Sequence, residues 1–443
     1  MTRIIVDISF LTKPIIFSRL SYVLDFMTNH PCSPNNTILT ISKDKAIEDI
    51  KIYYSDILIK EKYCIKPNGI FFLKKPGNGT QSKYCNTTFN GLNLQGFCAD
   101  GSTSFMAFDV FETIFFHISR YEEWNCSKVD EDMHGTMKSS FQYLVKQKMH
   151  KIPLVDHLVY YFYASLGLQP KKLDTTFSLT HDIDVIKKYS SLYKFLRGYG
   201  NILLYQKNKT RNILRHTAHF LLYKIGKKND PYDTFDWLLI GQSKAVQKVI
   251  FFLTGGKTKY EGFFDIRNPF LKKIMEKALV RGYTIGLHPS YDSMRNDYMV
   301  QDEWKVLSEV AGYTIKHSRQ HFLRFDPSIT GKIVDKNGFD SDSSIGFRNL
   351  IGFRCGTGFP YHLYDFDDEK AFKFREIPLI VMDVAGMHEC GWKSSNWIEL
   401  LSDFISKNSH YTHITFNFHN SFFDPVLVEA DLIKQWYLNT FQQ

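Results

Sequence analysis

From about residue 172 to the C-terminus the chain alternates short, nearly all-apolar runs with amphipathic segments, and this alternation constrains the fold more than any other feature. Apolar runs fall at 176–180, 249–254 ("VIFFLT"), 283–287 ("YTIGL"), 319–325, 377–382 ("IPLIVM") and 412–418 ("THITFNF"). Between or after them lie "NPFLKKIMEKALVRG", "QDEWKVLSEVAG", "SNWIELLSDFISK" and "DPVLVEADLIKQWYL", which read as helices. Strands that are apolar on both faces need cover on both, and the helices supply it. The predicted architecture is therefore α/β with parallel strands, as an open sheet or closed into a barrel.

The chain has 443 residues, too many for one ordinary core, and the change of pattern near residue 170 divides it into 1–170 and 171–443. The first part mixes short apolar runs with turn-rich stretches such as "KKPGNGTQSK". One helix is clear in "FDVFETIFFHISRYEEW", where Phe108, Phe111, Phe115 and Ile118 recur at helical spacing. The charges Arg120, Glu122 and Glu123 read as a helix end facing solvent. No chemical site is visible in this part.

A net charge of +9 favours anionic partners, and it is unevenly spread: 185–229 holds Lys and Arg throughout and no Asp or Glu. That stretch reads as a basic helical insert, either a solvated excursion or a patch for an acidic substrate or a membrane surface. It carries no Cys/His finger or RNA-reading motif, so sequence-specific nucleic-acid binding is not expected. The aromatic share of 16% suits large cores or stacking surfaces. Seven irregularly spaced cysteines without a CxxC pair argue against a disulfide framework or a thiolate zinc site. The N-terminus lacks signal-peptide character and no apolar run is long enough to span a bilayer, which sets the expectation of a cytoplasmic protein. Asn-x-Ser/Thr triplets such as Asn78-Gly79-Thr80 would matter only outside the cytoplasm.

In parallel α/β folds chemistry gathers where strands end. Asp182 and Asp184 follow the first strand in "FSLTHDIDVIKKY", with His181 beside them; His288 follows "YTIGL"; Arg319 and His321 lie in "SRQHFLRF"; His419 ends "THITFNFH". Carboxylates and imidazoles converging on one rim would cost several kcal/mol each if buried without partners, by order of magnitude. A divalent metal removes that cost, and imidazole with carboxylate suits zinc or another transition ion. Other chemistries fit less well. "LTGGKTKYEG" has Phe251 where a P-loop needs glycine, and neither a Gly-x-Ser-x-Gly elbow nor a Gly-x-Gly-x-x-Gly fingerprint occurs.

These motifs, in this order, resemble the NodB-homology polysaccharide deacetylases of carbohydrate esterase family 4. "SLTHDID" resembles the first deacetylase motif and "GLHPSYDS" the second. "SRQHFLRF" stands at the arginine motif, "DSSIGFRNLIGFRCGTGFP" resembles the segment after it, and "FNFHNSFFD" resembles the last histidine motif. "FDVFETIFFHISRYEEW" looks like the accessory domain of a bacterial branch in which a domain of unknown function comes first. The resemblance implies a distorted (β/α) barrel over 171–443, preceded by a smaller α/β accessory domain over 1–170, with 185–229 as an insert.

It also implies a divalent metal, zinc with cobalt or nickel as alternatives, and removal of acetyl groups from a sugar or glycan precursor in surface-polysaccharide biosynthesis. Carried over by position, Asp182 looks like the general base, Asp184 and His288 like metal ligands, Arg319 like the group orienting the base, and His419 like the general acid. The family's second motif has two histidines four residues apart, but here the later position is Asp292. The third ligand is therefore Asp292 or His321, and His181 is favoured as a hydrogen-bonded neighbour. Asp383 and His388 are candidates for groups behind the ligands. An inactive glycan-binding relative and an amidohydrolase for a non-sugar amide are the alternatives. The basic stretch is compatible with an anionic carbohydrate and with peripheral membrane contact.

Overall fold

The computed structural model describes residues 2–41, 50–57, 59, 61–73, 84–98, 105–124, 126–205, 209–262, 264–426 and 430–442. The turn-rich stretch 74–83, with its Asn78 triplet, lies outside them. In the first part β1 (Thr2–Asp7), β2 (Thr37–Ile41), β3 (Ile50–Tyr54) and β4 (Cys64–Ile65) form a parallel sheet in the order β2-β1-β3-β4. A separate antiparallel ribbon joins β5 (Tyr84–Phe89) to β6 (Leu92–Phe97). Cys85 and Cys98 are disulfide-bonded across it, while Cys32, Cys126, Cys355 and Cys390 are free. The cysteine spacing gave no hint of this bridge, because antiparallel pairing makes the two residues neighbours.

The helix Val110–Ile118 starts where Asp109 accepts hydrogen bonds from the Phe111 and Glu112 backbone N–H groups. Phe108, Phe111, Phe115 and Ile118 are all fully buried. The charged residues after it correct the sequence reading: Arg120 is fully buried, and the Glu122 and Glu123 side chains are largely so. Arg120 donates to the Arg354 carbonyl and pairs with Glu123, both at 2.5 Å, and Glu123 also pairs with Arg354 at 2.7 Å. The charges neutralise one another at a junction with a segment more than two hundred residues away.

The second part is a nine-stranded sheet. Its strands are β7 (Thr176–Ile183), β8 (Gln247–Leu253), β9 (Thr284–His288), β10 (His317–Ser318), β11 (Ser341–Asp342), β12 (Tyr361–Asp365), β13 (Lys370–Glu376), β14 (Val381–Met382) and β15 (His413–His419). Their order is β12-β13-β11-β10-β9-β8-β7-β15-β14, with β12 and β13 antiparallel and the other pairs parallel. The fold is thus mixed α/β, and among the described residues no pairing joins the end strands β12 and β14 into a closed barrel.

Four helices predicted from the pattern are present, at Pro269–Val280, Asp297–Ala311, Ser394–Lys407 and Ala430–Phe441. Two strand readings change. The run 319–325 is not a strand beyond Ser318 but a tight turn over His321–Leu323, and within 377–382 only Val381 and Met382 pair. β13, whose buried Phe372 and Phe374 alternate with exposed residues, was the missed two-residue period.

One apolar cluster runs through both parts. The Tyr364 ring, on β12, lies 4.8 Å from Tyr22 and 5.2 Å from Phe115, and Arg19 pairs with Glu369 at 2.6 Å. These contacts set the first part against the sheet that carries the polar strand ends.

Candidate metal centre

Side chains alternate along β7, so His181 and Asp182 face opposite ways. His181 is buried, Nδ1 donating to the Phe418 carbonyl at 3.1 Å and Nε2 3.4 Å from the Tyr283 and Tyr437 hydroxyls. Burial pushes its pKa down to about 4, leaving a neutral structural imidazole. Asp182, on the other face, accepts from Arg319 Nη1 at 3.0 Å and Asn417 Nδ2 at 2.7 Å. Burial alone would raise its carboxyl, but the charges of Arg319, His288 and His419 outweigh it and hold it below the ordinary value. Arg319 is fixed in turn by the Ser343 carbonyl at 3.0 Å, Thr180 Oγ1 at 2.8 Å and the Phe251 ring beneath its guanidinium at 4.5 Å.

Past the strand end, Asp184, His288 and His321 each bring one ligand atom into a group whose members all lie within 4.8 Å of one another. His288 Nε2 is 3.3 Å from Asp184 Oδ1 and His321 Nε2 is 3.6 Å from Oδ2. His288 donates from Nδ1 to the Arg319 carbonyl at 2.5 Å, which orients the ring with Nε2 toward Asp184. His321 Nδ1 faces Glu261 at 3.9 Å, and Glu261 is itself anchored by the backbone N–H groups of Tyr291 and Thr258 at 2.8 and 2.7 Å.

Asp184 Oδ1 is buried and makes no hydrogen bond, the condition of a carboxylate oxygen reserved for a cation. Burial disfavours charge on His321, yet the Asp184 and Glu261 carboxylates push its pKa up to about 9. One carboxylate with two imidazoles, backed by a carbonyl and a second carboxylate, fits a divalent transition ion.

His419, at the end of β15, points Nε2 at Asp184 Oδ2 across 3.4 Å. Burial opposes its charge, but Asp383 and Asp184 hold its pKa well above the ordinary histidine value. Asp383, fully buried, is its partner, whereas His388 is exposed and takes no part.

Asp292 is not brought to this group, which corrects the first of the two candidate third ligands. Pro289 and Ser290 lead into a 3-10 turn over Tyr291–Arg295 rather than an α-helical turn. The Asp292 side chain is 62% exposed and faces Arg324 at 4.0 Å. His321 stands in the position that Asp292 was a candidate to fill.

A cavity of about 750 Å³ opens over Asp182, Asp184, His288, His321 and His419. The first part of the chain, in which no chemical site is visible in the sequence, also lines it, through Asp132, His134 and Lys138. Arg348 pairs with Asp132 and donates to the Phe322 carbonyl at 2.9 Å; His134 Nδ1 is 2.8 Å from the Tyr291 hydroxyl; Ser139 donates to Asn349 at 3.0 Å. Glu261 and Asn417 also went unseen in the sequence: Glu261 stands in no motif, and Asn417, inside "FNFHNSFFD", was not singled out.

Residues 8–169 match DUF7033, a family of unknown function. The cavity wall from Asp132 to Gln142 falls inside the DUF7033 match. No curated protein matches the chain. Among solved structures, a protein assigned as a polysaccharide deacetylase from Mycobacterium smegmatis is 14% identical over 60% of this chain and 84% of its own, with a TM-score of 0.33. The PuuE allantoinase is 13% identical over the same shares, with a TM-score of 0.33. A GH57 branching enzyme from Thermococcus kodakaraensis, in complex with glucose, is 9% identical over 60% of this chain and 67% of its own, with a TM-score of 0.29.

Proposed function

We propose that the protein is a divalent-metal-dependent hydrolase that removes an acetyl group from an acetylated sugar or glycan precursor. The observation that carries this reading is the grouping of Asp184, His288 and His321 between a carboxylate held ionised, Asp182, and an imidazole held protonated, His419. Two titratable groups pushed in opposite directions across one cavity are the arrangement of a general base and a general acid.

Asp184, His288 and His321 would hold the ion, with zinc the first candidate and cobalt or nickel next. Bound there, a divalent ion would acidify a water and polarise the scissile carbonyl. Asp182 accepts the water's proton on a carboxylate whose orientation Arg319 and Asn417 fix. His419 delivers its proton from Nε2 to the leaving nitrogen or oxygen while Asp383 keeps the ring aligned and charged. The cavity is lined by the aromatic side chains of Tyr260 and Phe322 and by the polar residues Asp132, Asn349 and Ser421. A sugar needs both kinds of contact, and the volume lies within the range of about 300–1,000 Å³ typical of small-ligand sites.

The test is acetate release from a panel of N- and O-acetylated sugars by protein stripped of metal and reloaded with zinc, cobalt or nickel, with small cyclic and linear amides alongside. Metal-dependent acetate release that Asp182→Asn abolishes is the expected result. Turnover of the amides alone would make the site that of a non-sugar amidohydrolase. Metal binding with no turnover of any compound would leave a non-catalytic, glycan-binding reading.

A further inference from the structure

Between Asp184 and β8 the chain makes a helical hairpin, Leu192–Tyr205 and Lys209–Lys224. Its two helices pack through an aromatic seam: Phe195 stacks on Phe220 at 3.7 Å, and His216 donates to the Phe195 carbonyl at 3.0 Å. The base is tied to the catalytic sheet, with Lys188 paired to Asp424, the Tyr189 N–H donating to Asp230 at 2.9 Å and Arg215 donating to the Pro425 carbonyl at 2.7 Å. The outward faces are the unusual part.

On the first helix Leu192, Tyr193, Leu196, Leu203 and Leu204 are all exposed, Leu204 by 74%. At about 100° per residue these five fall within roughly 120° of arc, one continuous apolar stripe that the fold does not cover. On the second helix and the residue just after it, exposed Leu214, Leu221 and Ile225 recur at i, i+7 and i+11, again a single stripe. Around them, 185–229 holds eleven Lys and Arg residues and no acidic one.

We infer that this hairpin is a docking surface for an anionic lipid bilayer. Aliphatic stripes bordered by cations of one sign are what an interfacial helix needs: the leucines enter the acyl boundary and the cations meet the headgroup phosphates. A protein partner suits the surface less, because lysine is depleted from protein–protein interfaces. The helices lie on the bilayer rather than cross it; at about 1.5 Å per residue each is shorter than the roughly 30 Å hydrocarbon core, and no described helix is long and apolar enough to span it. Val185 lines the cavity and the first helix starts at Leu192, so docking brings the catalytic rim close to the membrane surface. This inference does not depend on the reaction proposed for the site.

The test is co-sedimentation of the full chain with vesicles of phosphatidylcholine alone and of phosphatidylcholine mixed equally with phosphatidylglycerol. Each basic residue near an anionic surface contributes about 1 kcal/mol, so partition onto the mixed vesicles should exceed that onto neutral ones by more than about tenfold and fall steeply with added salt. Leu203→Glu with Leu204→Glu, and separately Lys194→Glu with Arg197→Glu, should each lose most of the binding, whereas Val280→Glu, on a remote exposed helix position, should not. Lys194 is half-buried and the other positions are exposed, and circular dichroism is the check that each variant is folded. Absent or charge-independent binding, or hairpin variants that bind like the wild type, would overturn the inference. So would a dimer that the leucine variant dissociates, which would assign the stripes to a second copy of the chain.

Discussion

His419 and Asp383 are joined twice: the ring Nδ1–H donates to Oδ1 at 2.8 Å, and the His419 backbone N–H donates to Oδ2 at 2.7 Å. Two attachments to one buried carboxylate fix both the position of the ring and its tautomer, so Nε2 is aimed at Asp184 and the cavity. Asp383→Asn keeps the shape and removes the charge. We expect kcat for acetate release to fall by about a hundredfold or more, the usual contribution of a general acid, with KM little changed. Because Asp383 raises the His419 pKa, the alkaline limb of the pH–rate profile should move to lower pH in this variant.

Arg319→Met leaves the Asp182 carboxylate buried without its cation. Breaking a buried pair in this way costs about 3–5 kcal/mol, read from denaturant unfolding midpoints. Asp182→Asn combined with Arg319→Met should recover part of that loss, since no charge is then stranded. Asp182 has a depressed folded-state pKa, so its share of stability is present above the unfolded value near 4 and lost as pH falls through the folded value.

Three imidazoles are buried in neutral form away from the ligand group: burial pushes His117 down to about 3 and His181 and His413 to about 4. These three groups bind fewer protons in the folded chain than in the unfolded chain from about pH 4 to 6.5, so their own share of stability rises with pH across that window, against the opposite contribution of Glu112 and Glu303, whose carboxyls burial pushes up to about 8 and about 7. By the same linkage His181 and His413 each contribute up to about 3 kcal/mol to the acid-induced loss and His117 up to about 5 kcal/mol. His413→Gln removes one such group, so on acidification from pH 7 to 5 the variant should lose less Tm, or gain more, than the wild type. A variant whose Tm follows pH just as the wild type's does would be evidence against the His413 assignment.

His134 reaches the cavity from the DUF7033 region and touches no member of the metal group. His134→Ala should raise KM several-fold and leave kcat and metal content near wild type. A matching drop in kcat would place the residue in the chemistry instead.

Sequence reading reached the residues at the ends of β7, β9 and β15 because strand ends in parallel sheets fall at predictable places once the apolar runs are found. It could not choose between Asp292 and His321. That choice depends on Phe322, which adopts a left-handed φ of 59° inside the turn that carries His321, a conformation no pattern of apolar residues encodes. The buried Arg120–Glu123–Arg354 cluster was misread for a related reason: charge is visible in a sequence, and a partner more than two hundred residues away is not. The same distance hid the cavity wall at 132–142, which gains meaning only when the first part packs on the sheet.

The most direct test of the central claim is metal stoichiometry by elemental analysis after stripping and reloading with zinc, on wild type, His321→Ala and Asp292→Ala. The structure predicts about one ion per chain in the wild type, lost in His321→Ala and retained in Asp292→Ala. An ion retained without His321 and lost without Asp292, or no ion in the wild type, would contradict it.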